Sequence, residues 1–329
     1  MLRWGAVTEK VSFVDVLKAW PVVRGYLPKT PLYRYANLSS RWGLDAYVKH
    51  ENHMPIGAFK VRGGINLFAN LSDAERARGV VTATRGNHGL SIAYAARAFG
   101  SRAVIFVPRG NNPEKNAGME ALGAKLVEYG RDFDEAREEA EAYSKNEHMR
   151  YVHPANEALL IAGSGTYAVE IIQELPEVDV IIVPMGGGSG ASGVVLSVQA
   201  LKPSVKVIGV QSERAPALAK SIATGTLQET EQADTFADGL ATRVAFELPL
   251  SILQGKLDRV VLLSEEEMRQ GVKLALEMTH NPAEGAAAAV YAAADKLRQE
   301  LRGKKVVLIH SGHNIDRNTL RWALGLYDC

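Results

Sequence analysis

Lys60 is placed where a lysine seldom stands. It lies in the run "MPIGAFKVRGG", residues 54–64, hemmed in by small residues, with Phe59 before it and Arg62 two places after. An amine held away from water loses its proton more readily and becomes a usable nucleophile or base. The plainer alternative is a turn made by Pro55 and Gly57, with Lys60 and Arg62 opening the next helix.

Three further stretches have the residue types of a ligand site. In "TATRGNHG", Thr84, Arg85, Gly86, Asn87 and His88 fall where the backbone N–H groups of a helix start could bind an anion, although turn chemistry alone accounts for the glycine and asparagine. In "PMGGGSGASG", Gly186, Gly187, Gly188, Ser189 and Gly190 leave the backbone bare enough to wrap a phosphate. That stretch lacks the terminal lysine and hydroxyl of a nucleotide phosphate loop and does not match G-x-G-x-x-G cleanly, so a phosphate on some cofactor other than ATP or NAD fits better. Glycine-rich turns also occur with no ligand at all. In "IHSGHNID", Ser311 offers one hydroxyl and Asn314 a helix start, which by itself is no more than a cap. Taken together, an amine for an aldehyde, a cradle for a phosphate and a hydroxyl for a ring nitrogen are the three grips that pyridoxal phosphate requires.

Elements must hold these loops in place. Short β-branched runs ("AYVKH", "GVVTAT", "RAVIFVP", "AKLVEYG", "RYVHP", "DVIIVPM", "VKVIGVQ", "RVVLLS", "KKVVLIHSG") alternate with amphipathic or alanine-rich helical patterns. This rhythm predicts an α/β protein with a mostly parallel sheet and helices on both faces, whose ligands sit beyond the carboxyl ends of the strands. The acidic run from Asp132 to Glu141, with arginine interleaved, reads as a solvated helix face.

A chain of 329 residues suggests two domains. Its 38 lysines and arginines nearly cancel 37 aspartates and glutamates, which gives no electrostatic reason to expect nucleic acid or an anionic membrane as partner and points to a small molecule. Cys329 is the only cysteine, and no apolar run reaches signal-peptide or membrane-spanning length; "GAAAAVYAAA" is bounded by Glu284 and Asp295. A reducing, cytoplasmic home is expected.

The ordered motifs "PIGAFKVRGG", "TRGNHG", "PMGGGSG", "TFADGLA", "NPAEGAAAA" and "HSGHNID" resemble those of the fold-type II pyridoxal-phosphate enzymes, specifically the serine/threonine dehydratase (threonine ammonia-lyase) family, over nearly the whole chain. The resemblance implies the tryptophan synthase β-like fold of two open, twisted, mostly parallel sheet domains. Residues 1–74 and 151–329 would form the large cofactor domain, and 75–150 a small inserted domain over the substrate cleft. Carried over, Lys60 would bind the cofactor aldehyde and later take the substrate α-proton, with Phe59 beside the ring. Asn87 would bond the ring hydroxyl, Gly186 to Gly190 the phosphate, and Ser311 the pyridine nitrogen, while Thr84 to His88 would receive the substrate carboxylate. A homodimer, an amino acid substrate and β-elimination from L-threonine or L-serine to a 2-oxo acid and ammonia are implied with them. Alternatives are another β-hydroxy amino acid (3-hydroxyaspartate or a bulkier analogue), β-replacement, or a non-catalytic binder of an anionic ligand.

The departures from the family pattern carry their own expectations. Ala58 stands where the family usually has serine, and His313 interrupts its usual "SGGN". Arg85 occupies the position of the serine that serves racemases of the family, so racemisation is not expected. Gln211 and Ala217 replace the two acidic ligands of its divalent-cation site, so no metal is expected. With no regulatory domain after "SGHNID", neither is inhibition by isoleucine. Cysteine synthases share the fold, but "GAFKVRG" does not match their lysine context.

Overall fold

The structure is a computed structural model that describes residues 10–326; Cys329 and the start of the amino-terminal stretch lie outside the described residues. Ten strands form two sheets: β1 Leu32–Arg34, β2 Asp45–Lys49, β3 Val80–Ala83, β4 Ala103–Val107, β5 Lys125–Glu128, β6 Arg150–Tyr151, β7 Val180–Pro184, β8 Lys206–Ser212, β9 Arg259–Leu263 and β10 Lys305–Ile309. The larger sheet runs β1-β2-β10-β7-β8-β9 and the smaller β5-β4-β3-β6. Every pairing is parallel except that of β1 with β2. All nine apolar runs read from the sequence are strands. The tenth, β1, escaped because it is a three-residue edge strand with two exposed residues, too short for any periodicity to show.

The large sheet is buried on both faces, as parallel sheets are when crossover helices cover them. Side chains along a strand alternate between faces. Ile182, Val210 and Leu308 accordingly pack on one side with the helices Glu265–Thr279 and Gly285–Lys296. Ile181, Val183, Val307 and Ile309 pack on the other with the helices Ala158–Glu174 and Ser189–Leu201. No helix among the described residues is long and apolar enough to cross a membrane.

On that second face helices meet almost backbone to backbone. A Cβ on Gly163 would lie 2.5 Å from the carbonyl of Arg62 and 2.8 Å from Cα of Gly63, so only glycine lets the helix Val61–Ala69 approach so closely. Beside this contact the Arg62 side chain is fully buried. It donates to Glu51 (2.8 and 2.9 Å) and Glu170 (2.7 and 2.9 Å), with Thr30 and Thr166 as further acceptors, and Lys49 reaches Glu170 at 2.6 Å. Burial alone would lower the arginine pKa, but the two carboxylates reverse this and raise it. The cation two places after Lys60 is thus a structural pin that fixes the start of the helix following the lysine.

The acidic run forms the helix Phe133–Asn146, but the reading of its whole length as a solvated face needs correction. Asp134 and Arg137 are buried, and Asp132 and Asp134 bind Arg243 at 3.1 and 3.0 Å. The start of this helix is a docking point for a loop between the strands of the large sheet.

Candidate active site

Strands β2, β10 and β7 are neighbours and parallel, so the loops that leave their carboxyl ends lie side by side, each displaced by about 4.8 Å from the next. These loops are the lysine segment, the turn with Ser311 and the glycine run. The first two are stitched together: Ala58 bridges Gly312, and the Phe59 N–H donates to the Ser311 carbonyl at 3.0 Å. All three open into one cleft, across which Thr84 to His88 face them from the small sheet.

Lys60 Nζ donates to Ser189 Oγ at 2.7 Å and to the Pro154 carbonyl at 3.0 Å. It keeps part of its surface open to the cleft, yet desolvation by the surrounding protein lowers its pKa to about 8. Among the described residues no carboxylate is bonded to it to hold the proton on. Phe59 packs edge-on against Tyr167, and the Tyr167 hydroxyl donates to the Gly190 carbonyl at 3.1 Å, which ties the lysine segment to the glycine loop.

The glycine loop is bare because its surroundings leave no room. A Cβ on Gly186 would run into the Gly239 carbonyl, one on Gly187 would come within 2.6 Å of Ala155 Cβ, and one on Gly190 within 3.0 Å of the Phe59 ring. Gly188, with φ +94°, sits in the left-handed region that favours glycine. The helix Ser189–Leu201 begins here, so its free N–H groups and positive end border the cradle.

In the facing loop, Thr84 Oγ1 accepts from the N–H groups of Gly86 (2.9 Å) and Gly89 (3.2 Å), an internal clamp on the turn. Asn87 donates to Glu284 Oε1 at 2.5 Å and accepts from Asn314 Nδ2 at 2.8 Å, so its amide is oriented from both sides. His88 borders the cleft, but its ring is committed elsewhere. Thr82 Oγ1 gives its hydrogen to the Val152 carbonyl (2.6 Å) and therefore accepts from His88 Nε2–H (2.8 Å), leaving His88 Nδ1 a buried acceptor with no partner. His153 is the converse: Nδ1 accepts from the N–H groups of Ala155 and Asn156, so its unpartnered buried Nε2 carries the hydrogen. Burial first, and then the Lys60 charge among others, holds both imidazoles neutral, with His153 lowered to about 3.

Ser311 is buried at the end of β10 and lines the cleft. His313 lies just beyond, its N–H donating to the Gly57 carbonyl at 2.9 Å; Gly57 has φ +70° and a Cβ there would strike the His313 ring. Gln211 is buried at the end of β8 with Oε1 accepting from the Ala219 N–H at 2.9 Å, and Ala217 begins the helix Ala217–Thr224. No group of three or more histidine, cysteine, aspartate or glutamate side chains is placed to hold a metal among the described residues.

Lys115, Asp238 and Glu284 line the cleft without having been assigned a role from the sequence. Lys115 donates to Asp238 Oδ2 at 3.0 Å and lies 3.7 Å from Glu284; burial opposes its charge, but these carboxylates raise its pKa above the ordinary lysine value. Burial pushes the Glu284 carboxyl up, against the pull of Lys115 and Asn87. Asp238 and Glu284 stand inside "TFADGLA" and "NPAEGAAAA", so their motifs were in view. Lys115 gave no signal: it comes from a helix of ordinary composition and reaches the site because Gly86, lacking Cβ, leaves room for its stem.

The chemistry of this donor set fits pyridoxal phosphate: a bare cradle at a helix start, an amine of lowered pKa, a hydroxyl and an oriented amide face one cleft. The comparisons agree. Residues 23–312 match the family model described as pyridoxal-phosphate dependent enzyme. The chain is 38% identical over 311 residues to an L-threonine ammonia-lyase of Thermotoga maritima, covering 94% of this chain and 77% of that one. It is 31% identical to the catabolic L-threonine dehydratase TdcB of Escherichia coli K12, covering 97% of each. The processed form of threonine deaminase isoform 2 from Solanum lycopersicum superposes with a TM-score of 0.90 at 31% identity, covering 96% of this chain and 92% of that one. This chain belongs to the pyridoxal-phosphate dependent enzyme family.

Proposed function

We propose that the protein is a dehydratase that converts a β-hydroxy amino acid, L-threonine or L-serine, into a 2-oxo acid and ammonia by β-elimination. The observation that carries this reading is Lys60: a cleft-facing amine with its pKa lowered to about 8 and, among the described residues, no carboxylate bonded to it, beside a glycine cradle. The bound cofactor supplies the electron sink for the charge left when the α-proton departs. Gly186 to Gly190 hold its phosphate, Asn87 its ring hydroxyl, and Ser311 its ring nitrogen through an uncharged hydroxyl, a contact that favours elimination over transamination. Once substrate is bound, Lys60 Nζ takes the α-proton, and Ser189 Oγ and the Pro154 carbonyl keep it aimed. The relatives named for threonine support the substrate class. A homodimer, which the family resemblance implies, working in the cytoplasm, which the single cysteine supports, completes the reading.

Borohydride reduction of the purified protein followed by peptide mapping, beside a 2-oxo acid assay, tests it. The label is expected on Lys60, and Lys60→Ala is expected to lose both label and turnover. A label on any other lysine refutes the assignment.

A further inference from the structure

We propose that Arg85 is the receptor for a second carboxylate on the substrate, which directs this cleft toward acidic β-hydroxy amino acids such as 3-hydroxyaspartate; this inference rests on the elimination reading above.

The argument begins with how differently two arginines of one protein are satisfied. Arg62, fully buried, spends its donors on two carboxylates and two hydroxyls. Arg85 lines the ligand cleft with its side chain 38% exposed, and its Nε–H is buried with no acceptor among the described residues. Its ion pair with Asp238 is 3.7 Å long, beyond hydrogen-bonding length. A buried donor without a partner is uncommon enough to require a reason, and a ligand group absent from the protein alone is one.

Asp238 does not fill that need, because it is engaged elsewhere. Its Oδ2 accepts from Lys115 at 3.0 Å, and that lysine is itself buried. Glu284 lies 3.7 Å from the same lysine, so Lys115 and Arg85 face two carboxylates between them, but only Lys115 is hydrogen-bonded to Asp238, and the Arg85 guanidinium holds neither carboxylate at bonding distance. The substrate's own α-carboxylate has a different receiver. The 12-residue helix Asn87–Ala98 starts in the same loop, and apart from the N–H groups of Gly86 and Gly89, which Thr84 Oγ1 takes, its first turn offers N–H groups that have no intrahelical acceptor. What Arg85 lacks is a hydrogen-bonded acceptor for its fork, and a guanidinium binds a carboxylate through two parallel bonds, which a threonine methyl or a serine hydrogen cannot receive.

The test uses the cofactor-loaded enzyme. We would measure kcat/KM for threonine and threo-3-hydroxyaspartate in wild type, Arg85→Gln and Arg85→Lys, and the dissociation constants of succinate and butyrate, which differ by one carboxylate. Wild type is expected to bind succinate about tenfold or more tightly than butyrate, the scale of one charge-assisted contact. Arg85→Gln should abolish that difference and lower the ratio of kcat/KM for hydroxyaspartate over threonine by a similar factor, and Arg85→Lys should restore part of both. Equal binding of the two acids to wild type would overturn the proposal. So would an equal fall for both substrates in Arg85→Gln, since that would assign Arg85 to the α-carboxylate. If wild type turns over none of threonine, serine and 3-hydroxyaspartate, the elimination reading fails, and the comparison of succinate with butyrate still decides the role of Arg85.

Discussion

Lys60 and Lys115 carry the same ammonium and finish on opposite sides of the ordinary lysine value. Lys60 is desolvated with only a hydroxyl and a carbonyl as acceptors, so its proton is loosened. Lys115 is more deeply buried, yet Glu284 and Asp238 hold its proton on. The first is suited to chemistry and the second to holding structure. A pH prediction follows with a definite sign: the neutral amine attacks an aldehyde, and it is populated above the pKa. Uptake of pyridoxal phosphate by protein stripped of cofactor should therefore reach half its maximal rate near pH 8, where an ordinary lysine would need pH values above 10. Stopped-flow absorbance across pH 6 to 10 checks it, and a midpoint near 10 would show that Lys60 is not desolvated. At this scale the sequence pointed to residues that line one cleft where a residue type is rare in its setting, as with Lys60 and Gly186 to Gly190, whereas Ser311 read alone as a cap. It was silent on Lys115 and His153, whose roles come from neighbours distant along the chain.

The elements around the lysine are held by contacts of very unequal strength. Arg62 lies between Glu51 and Glu170 with all three side chains out of water. Its removal would leave two carboxylates buried without their cation. Arg62→Ala should lower the unfolding free energy by about 3–5 kcal/mol. Arg243, which binds Asp132 and Asp134 with a third of its side chain exposed, should cost only about 1 kcal/mol when changed to alanine. Urea denaturation of both variants decides whether burial sets the difference; equal losses would contradict it. The helix and strand order could be read from periodicity because each long element buries a whole face. The Arg62 cluster could not, since "KVRGG" looks the same whether its arginine faces solvent or two glutamates from other segments.

Across the whole molecule, the chain leaves the large sheet after β2, builds the smaller sheet from β3 to β6, and returns at β7. Strand patterns alone did not show this division, because short β-branched runs recur in both sheets and the crossings have no distinctive composition. The six ordered motifs did suggest it, through the family they resemble. The contacts that tie the two sheets together, Arg85 and Lys115 with Asp238 and Arg243 with the start of the helix Phe133–Asn146, came only with the coordinates. Each joins side chains about 110 or more positions apart, beyond the reach of any local pattern.

The bond from Lys60 Nζ to the Pro154 carbonyl joins the amine to the segment by which the chain returns from the smaller sheet. An ammonium gains from that acceptor and a free amine gains less, so proton affinity and the placement of the crossing are reciprocal: whatever draws Pro154 away makes the lysine a weaker base, and whatever removes the proton loosens the crossing. The proposed base would thereby also report on the placement of this crossing. In protein stripped of cofactor, amide exchange over residues 152–157, corrected for its intrinsic pH dependence, should quicken as pH rises through about 8, and Lys60→Met should erase that step. Matching profiles for the two proteins would show that the amine and the crossing are uncoupled.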